Sequence, residues 1–361
     1  MRELKDGLFS DIIKLGNGKV KPNNIGSIPI YGGNGILGYG DDFNYSGETV
    51  IIGRVGAYCG SVYHSKEPIW VSDNALAAKP KNDECTKYIY YLLQNLKLNS
   101  YAEGSSHPLV TQGLLNSIEI HYHQNNQEQQ AIAEVLSSLD DKIDLLHRNN
   151  KTLEEMAETL FKQWFDIEEN EENSCRLGSI IKTTSGGTPS RNQSSYYGGS
   201  IPWVKSKELS GGFITNTEEH ISEEGLKKSS AKLLPEYSVL LAMYGATVGE
   251  ICIIPFQATC NQAICALLPS ATYPYTWIHN FLKFKKDDII NLATGAAQQN
   301  ISQIIIQDLL IPKPSEKIIT FHKNAKVLYE KILNNTVQIE QLKTTRDTLL
   351  PKLMSGQIVI N

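Results

Sequence analysis

From Leu139 the apolar positions of the chain fall at Leu139, Ile143, Leu146, Asn150, Leu153, Ala157, Leu160 and Trp164, in alternating steps of four and three. That spacing is the a/d seam of a helix that packs on another helix. It predicts one continuous helix over residues 127–165, a rod of about 60 Å at 1.5 Å per residue. The same steps return at Leu328, Ile332, Asn335, Ile339, Leu342, Arg346, Leu349 and Leu353. Asn150 interrupts the first seam; Asn335 and Arg346 interrupt the second. Elsewhere the pattern is short apolar runs, at residues 49–52, 75–78, 238–243 and 250–254, between dense turn signals such as Gly16-Asn17-Gly18 and Gly32-Gly33-Asn34-Gly35. Those read as strands. One helix is predicted within each β-rich stretch, at 88–98 and at 277–286.

The two halves repeat one another. Thr49-Val50-Ile51-Ile52-Gly53-Arg54-Val55-Gly56-Ala57-Tyr58-Cys59-Gly60 reappears as Ser238-Val239-Leu240-Leu241-Ala242-Met243-Tyr244-Gly245-Ala246-Thr247-Val248-Gly249, an offset of 189. Gly104 to Gln112 reappears as Gly295 to Gln303, and Leu153 to Phe165 lines up with Leu342 to Met354. A period this long is a duplicated domain, since solenoid repeats run to about 20–50 residues. The glycines at 56/245 and 60/249 read as turn residues that let backbones approach closely. Two equivalent halves related by a pseudo-twofold would run their long helices antiparallel. The fold class expected is therefore α+β: two β-rich units, 1–123 and 171–314, joined and spaced by two long antiparallel coiled-coil helices, 124–170 and 315–361. A chain with two similar surfaces points to a target with two similar parts.

Charge adds a contrast. The net charge of −5 sits almost wholly in residues 124–170, with 4 basic and 11 acidic side chains, while 1–123 carries −1 and 171–314 is neutral. No apolar stretch reaches the length of a membrane helix, and the start of the chain lacks a signal-peptide core, so a cytoplasmic protein is expected. The six cysteines form no C-x-x-C pair. Cys59, Cys252 and Cys265 lie in apolar runs and read as buried thiols.

Catalytic patterns are missing. Gly16-Asn17-Gly18-Lys19 and Gly56-x-x-x-Gly60-Ser61 do not fit a phosphate loop, and H-E-x-x-H, G-x-S-x-G and a dinucleotide fingerprint are all absent. His121 and His123, two apart on a presumed strand, would share a face, but no further ligand stands nearby and no metal is expected.

Residues 127–143 (Gln127-Glu-Gln-Gln-Ala-Ile-Ala to Asp-Lys-Ile143) and Thr152 to Phe165 resemble the central conserved helix of the specificity subunit of type I restriction–modification systems. Ile339 to Leu350, then Pro351-Lys-Leu-Met-Ser-Gly-Gln-Ile358, resembles that family's C-terminal conserved helix. Ser200-Ile-Pro-Trp203, Gly225 to Ser230 and Gly245-Ala-Thr-Val-Gly249 look like its target recognition domain, as do Ile28 to Ile36 and Ile52-Gly-Arg-Val-Gly56 in the first half. The resemblance covers essentially the whole chain in the family's order. It implies a non-catalytic subunit whose two recognition domains each read half of a split double-stranded DNA site, and whose helices dock two modification (methyltransferase) subunits. S-adenosylmethionine, and ATP with Mg where restriction subunits join, would belong to those partners. This chain itself would hold no cofactor. A coiled-coil scaffold without sequence preference and a stand-alone DNA-modifying enzyme are the alternatives.

Candidate DNA contacts are loop residues: Lys19, Lys21, Asn34, Arg54, Tyr58, Ser105, Ser106 and His107 in the first half, and Thr188, Arg191, Lys205, Lys207, Tyr244, Thr247, Gln298, Gln299 and Asn300 in the second. Lys and Arg suit phosphate or guanine, and Asn and Gln suit adenine edges. Matched loops carry different residues (Arg54 and Tyr58 against Met243 and Thr247), so an asymmetric split site is expected. For protein partners the candidates are the acidic flank Glu128, Glu134, Asp140, Asp141 and Asp144, together with Phe161 and Phe165, which lie off the seam and are free either to be exposed or to pack under a neighbouring domain; Trp164 lies on it and closes the intramolecular core.

Overall fold

The computed structural model describes residues 4–104, 108–165, 173–292 and 300–360. The chain divides into two compact units: Met1–Asp144 with Gln341–Asn361, and Leu145–Glu340. Each unit takes part of both long helices, which run over Asn126–Trp164 and Glu316–Met354.

In the first unit, β1 (Leu4–Leu8) pairs with β9 (Glu119–His123) and brings the two ends of the β-rich head together. The main sheet is antiparallel, in the order β2 (Ile13–Asn17), β8 (Ala75–Pro80), β5 (Thr49–Gly53), β6 (Val62–Ser65). A smaller sheet has β3 (Ile28–Gly32) between β4 (Gly35–Gly40), antiparallel, and β7 (Trp70–Val71), parallel.

The second unit repeats this topology strand for strand. β10 (Ser174–Arg176) pairs with β18 (Leu310–Pro312). The main sheet runs β11 (Thr183–Ser185), β17 (Ile264–Leu267), β14 (Ser238–Ala242), β15 (Ile251–Ile254). The smaller sheet has β12 (Tyr197–Val204) between β13 (Glu219–Ile221) and β16 (Thr259–Cys260). Internal duplication is thus a property of the fold and not of the sequence alone.

The continuous apolar runs of β5 and β14 follow from burial on both faces. Val50 and Ile52 pack with the head helix Thr86–Leu96, whereas Ile51 meets Ile69, Val71, Ala75 and Ala77. Likewise Val239 and Leu241 join the helix-side core with Trp277 and Phe281 of the helix Tyr275–Phe284, and Leu240 and Ala242 join Val204, Leu234 and Cys260. Both head helices begin two residues before the predicted starts and end two before the predicted ends; in the second unit Lys286–Leu292 forms a further helix. Cys59, Cys252 and Cys265 are buried thiols. Gly56, Gly60, Gly245 and Gly249 all have φ between 74 and 90°. At Gly60 a Cβ would lie 2.3 Å from the Asn99 amide nitrogen, so both the left-handed turn and the close approach require glycine there. The histidine pair separates: His121 is exposed and bonded to Asp6 at 2.6 Å, while His123 is buried with its Nδ1 3.1 Å from the Tyr88 hydroxyl. Among the described residues no cluster of His, Cys, Asp or Glu is able to hold a metal, and no helix is long and apolar enough to cross a membrane.

Two of the three interruptions of the seams answer one another, and the third meets an acidic residue. In the second unit Asn335, 2 % exposed, donates to Asn150 Oδ1 at 2.8 Å, and Asn150 donates to Thr336 Oγ1 at 3.3 Å. Further along the same unit Trp164 and Phe165 reach Phe321, with ring centres 6.4 and 5.6 Å apart, so the two helices run antiparallel there. In the first unit Arg346 donates to Asp140 at 2.8 Å, and Asp140 also accepts from the Tyr91 hydroxyl at 2.6 Å. A buried amide pair in a seam sets register at a cost in stability. Asn335→Leu alone strands the Asn150 carbonyl and is expected to cost about 1–3 kcal/mol. Replacing both asparagines by leucine is expected to restore stability or exceed the wild type, as read from urea midpoints. A double variant less stable than the single one would contradict this account of the pair.

Candidate nucleic-acid interface

In the first unit four loops distant in sequence meet at one end of the two sheets. Gly53 leaves no room for a side chain: a Cβ there would lie 2.6 Å from the Gly33 carbonyl and 2.7 Å from that of Tyr58. The β3–β4 turn bearing Asn34 and the turn Gly56–Tyr58 are therefore neighbours. Arg54 ties in the third loop, its amide donating to the Asn74 carbonyl at 3.1 Å, and its own carbonyl accepts from Val110 at 2.9 Å. Lys19 joins through its amide, which donates to Val71 at 3.0 Å. Asn34, Lys19 and Lys21 are exposed, Tyr58 is 51 % exposed, and Arg54 is half-buried. Lys21 stands apart, its Nζ over Gly38 of β4. Ser105, Ser106 and His107 lie outside the described residues.

The second unit assembles the equivalent loops with different side chains. Tyr244, half-buried, forms a bridge with the exposed Asn300, and Thr247 donates to the Ser206 carbonyl at 2.9 Å, which places it against the Lys205–Lys207 loop. Thr188 is exposed and donates to Gln262. Gln298 and Gln299 lie outside the described residues.

Three of the candidate cations are engaged within the chain. Arg191 makes a two-pronged bond to Glu219 at 2.6 and 3.3 Å, and Lys205 bridges Glu218 and Glu219 at 2.7 and 2.8 Å. Lys207 reaches Glu218 at 2.7 Å. The bonds from Arg191, and then from Lys205, hold the Glu219 carboxyl down to about 2. Partial burial works against the Lys205 charge, but its bonds to the two glutamates outweigh that and keep its pKa above the ordinary value.

Nothing in the sequence reading singled out these glutamates, nor Asn74, Asn17 and Gln112 (which donates to Asn17 at 2.7 Å). One signal was available. The 189-residue offset also pairs the loop Ser72-Asp73-Asn74 with Asn261-Gln262-Ala263, and both follow the short parallel strand of the small sheet.

On the helices the partner candidates divide. Glu134, Asp141 and Asp144 are exposed, and Glu128 is half-buried. Asp140 is not a free charge, because Arg346 and Tyr91 already occupy it. Phe161 and Phe165 are a correction: they are 1 and 6 % exposed, inside the core of the second unit against Trp277 and Phe321, so a partner has no access to them. They leave the seam because the long helix there packs against the head helix Tyr275–Phe284 as well as against the other long helix.

Comparison with known proteins decides the family. The model of the type I restriction modification DNA specificity domain matches residues 5–155 and again 169–346, once for each half. The chain belongs to this family. The specificity subunit of the type I restriction enzyme MjaIX from Methanocaldococcus jannaschii is 31 % identical over 326 residues, covering 83 % of this chain and 75 % of that one. The corresponding HindI subunit of Haemophilus influenzae is 24 % identical over 362 residues, covering 77 and 75 %. Among solved structures, the S subunit of a type I system from M. genitalium matches 98 % of this chain and 96 % of its own with a TM-score of 0.65 at 18 % identity, a likeness of fold. The two units are thus two specificity domains, and within the shared frame the loop cluster at the sheet ends carries different side chains, Arg54 and Tyr58 against Met243 and Thr247.

Proposed function

We propose that this chain is the non-catalytic reading subunit of a type I restriction–modification complex, in which each specificity domain reads one half of a bipartite, asymmetric duplex DNA site. The observation that carries this reading is the pairing of one topology, repeated strand for strand, with loop sets that differ: Asn34, Arg54 and Tyr58 in one, Thr188, Tyr244, Thr247 and Asn300 in the other. Equal frames with unequal side chains suit two unequal half-sites. Lys19 and Lys21 are assigned to phosphate, with Arg54 and the amides as base readers; Ser105–His107 and Gln298–Gln299 remain candidates by their place in the repeat. The long helices are assigned to spacing and to docking two modification subunits, with Glu134, Asp141 and Asp144 facing a basic partner surface. Methyl transfer from S-adenosylmethionine, and ATP-driven steps where restriction subunits join, belong to those partners.

Selection of duplexes from a random pool, by the chain assembled with modification subunits, is expected to enrich two short, different sequences at a fixed separation. A pool from which no sequence emerges would overturn the reading and favour the scaffold alternative.

A further inference from the structure

The charged cluster of the second domain carries an inference that rests on the DNA-reading function above. Three cations share two carboxylates there. Glu218 takes Lys205 and Lys207, both at 2.7 Å, and Glu219 takes Lys205 at 2.8 Å and Arg191 at 2.6 Å. The Arg191 guanidinium also lies 4.3 Å from the ring centre of Tyr197 and 5.1 Å from that of Trp203, so the aromatic pair packs around it. Glu208 plays a different part: its two oxygens accept the backbone amides of Lys205 (2.9 Å) and Glu218 (3.1 Å), which pins the two segments together. The fork of Arg191 and the ammonium groups of Lys205 and Lys207 are therefore pre-positioned, but their donors point at carboxylates of the same chain.

Among the described residues the first domain has no such arrangement. In the β12–β13 ladder Glu219 stands opposite Trp203, and Trp203 is paired in parallel with Thr259. In the β3–β4 ladder the corresponding residue opposite Ile30, which pairs with Trp70, is Gly38. Lys21 has its Nζ 3.5 Å from where a Gly38 Cβ would stand, so a cation is present there over a residue without a side chain. At this place the first domain sets Lys21 over a glycine, and the second covers three cations with two carboxylates.

We propose that Glu218 and Glu219 act as internal stand-ins for phosphate, occupying Arg191, Lys205 and Lys207 so that a duplex must displace them to bind the second domain. The Lys207–Glu218 pair and the Arg191 guanidinium are exposed, and exposed ion pairs contribute little to stability, so the exchange begins easily there once other contacts form. A duplex with the right bases supplies those contacts; a random duplex offers only its phosphates, which is the term the glutamates oppose. The two residues thereby set specificity without touching a base.

The test uses the full chain and a short random-sequence duplex, with affinity followed by fluorescence anisotropy between about 50 and 200 mM salt. Relative to wild type, the Glu218→Gln/Glu219→Gln variant is expected to bind this duplex about tenfold more tightly at the low-salt end, with the slope of log affinity against log salt steeper by about 1 to 2. Glu223→Gln/Glu224→Gln is the control: it removes the same charge from the same domain, away from Arg191, Lys205 and Lys207 at a pair whose Glu224 meets Lys228 at 2.8 Å, and is expected to leave the slope unchanged. Equal changes in both variants would reduce the effect to net charge and overturn the proposal. So would unchanged affinity, or weaker binding, which would make the glutamates supports for the cations. If the double variant melts early, Glu218→Gln alone frees Lys207 and is expected to steepen the slope by about 1; no change there overturns the proposal too. A wild-type chain that binds no duplex at any salt would bring down the DNA-reading function itself.

Discussion

Phe161→Ala is expected to destabilise the second unit by about 3–5 kcal/mol, the range for truncating a buried phenylalanine. The ring is 1 % exposed and sits among Phe165, Trp277, Phe284 and Phe321, with ring centres 5.0 to 6.2 Å away. Truncation opens a cavity walled by large rings that have little freedom to collapse into it. Against a domain stability of about 5–15 kcal/mol that loss is large. Three of the four tryptophans, Trp164, Trp203 and Trp277, lie in this unit, so urea unfolding followed by tryptophan fluorescence reports on it directly. Phe161→Leu is expected to cost far less. A Phe161→Ala chain as stable as wild type, impaired only in assembly with its partners, would return Phe161 to the partner surface and contradict its place in the core.

How much of this was legible beforehand depended on the range of the interaction. The seams, the duplication and the buried strands were readable because each is a simple pattern along the chain: four-and-three steps, a nearly constant offset, and unbroken apolar runs in strands covered on both faces. Asn150, Asn335 and Arg346 stood out as polar breaks in those periods, but which residue each one meets did not, since the partner lies about 185 to 206 positions away. Phe161 and Phe165 were misread for the same reason. Off the seam, a position is exposed only if nothing else covers it, and the head helix Tyr275–Phe284 does. The loops were found as turn signals and repeated glycines, while the carboxylates that hold Arg191, Lys205 and Lys207 come from Glu219 at the start of the neighbouring strand and Glu218 just before it, a placement that the sheet register creates.

Exchange of the first head for that of another specificity subunit is the second large effect expected. The fold favours a clean cut. β1 pairs with β9, so the head's two ends lie side by side, and its contacts with the helices run through a compact apolar set, Ile132, Ala133, Leu136, Leu353 and Met354. A donor head of the same family that offers a matching apolar surface is expected to seat on those residues without disturbing the second domain, whose core is built from its own strands and helix segments. The modified sequence should then change in one half-site while the other, and the separation between them, stay as they were.

Methylome sequencing of cells carrying the chain with residues 1–123 exchanged, beside cells carrying the wild type, reads this outcome most directly. The two-reader account predicts one altered half-site next to one unaltered half-site. Alteration of both halves together would mean that the domains do not read independently, and would contradict it.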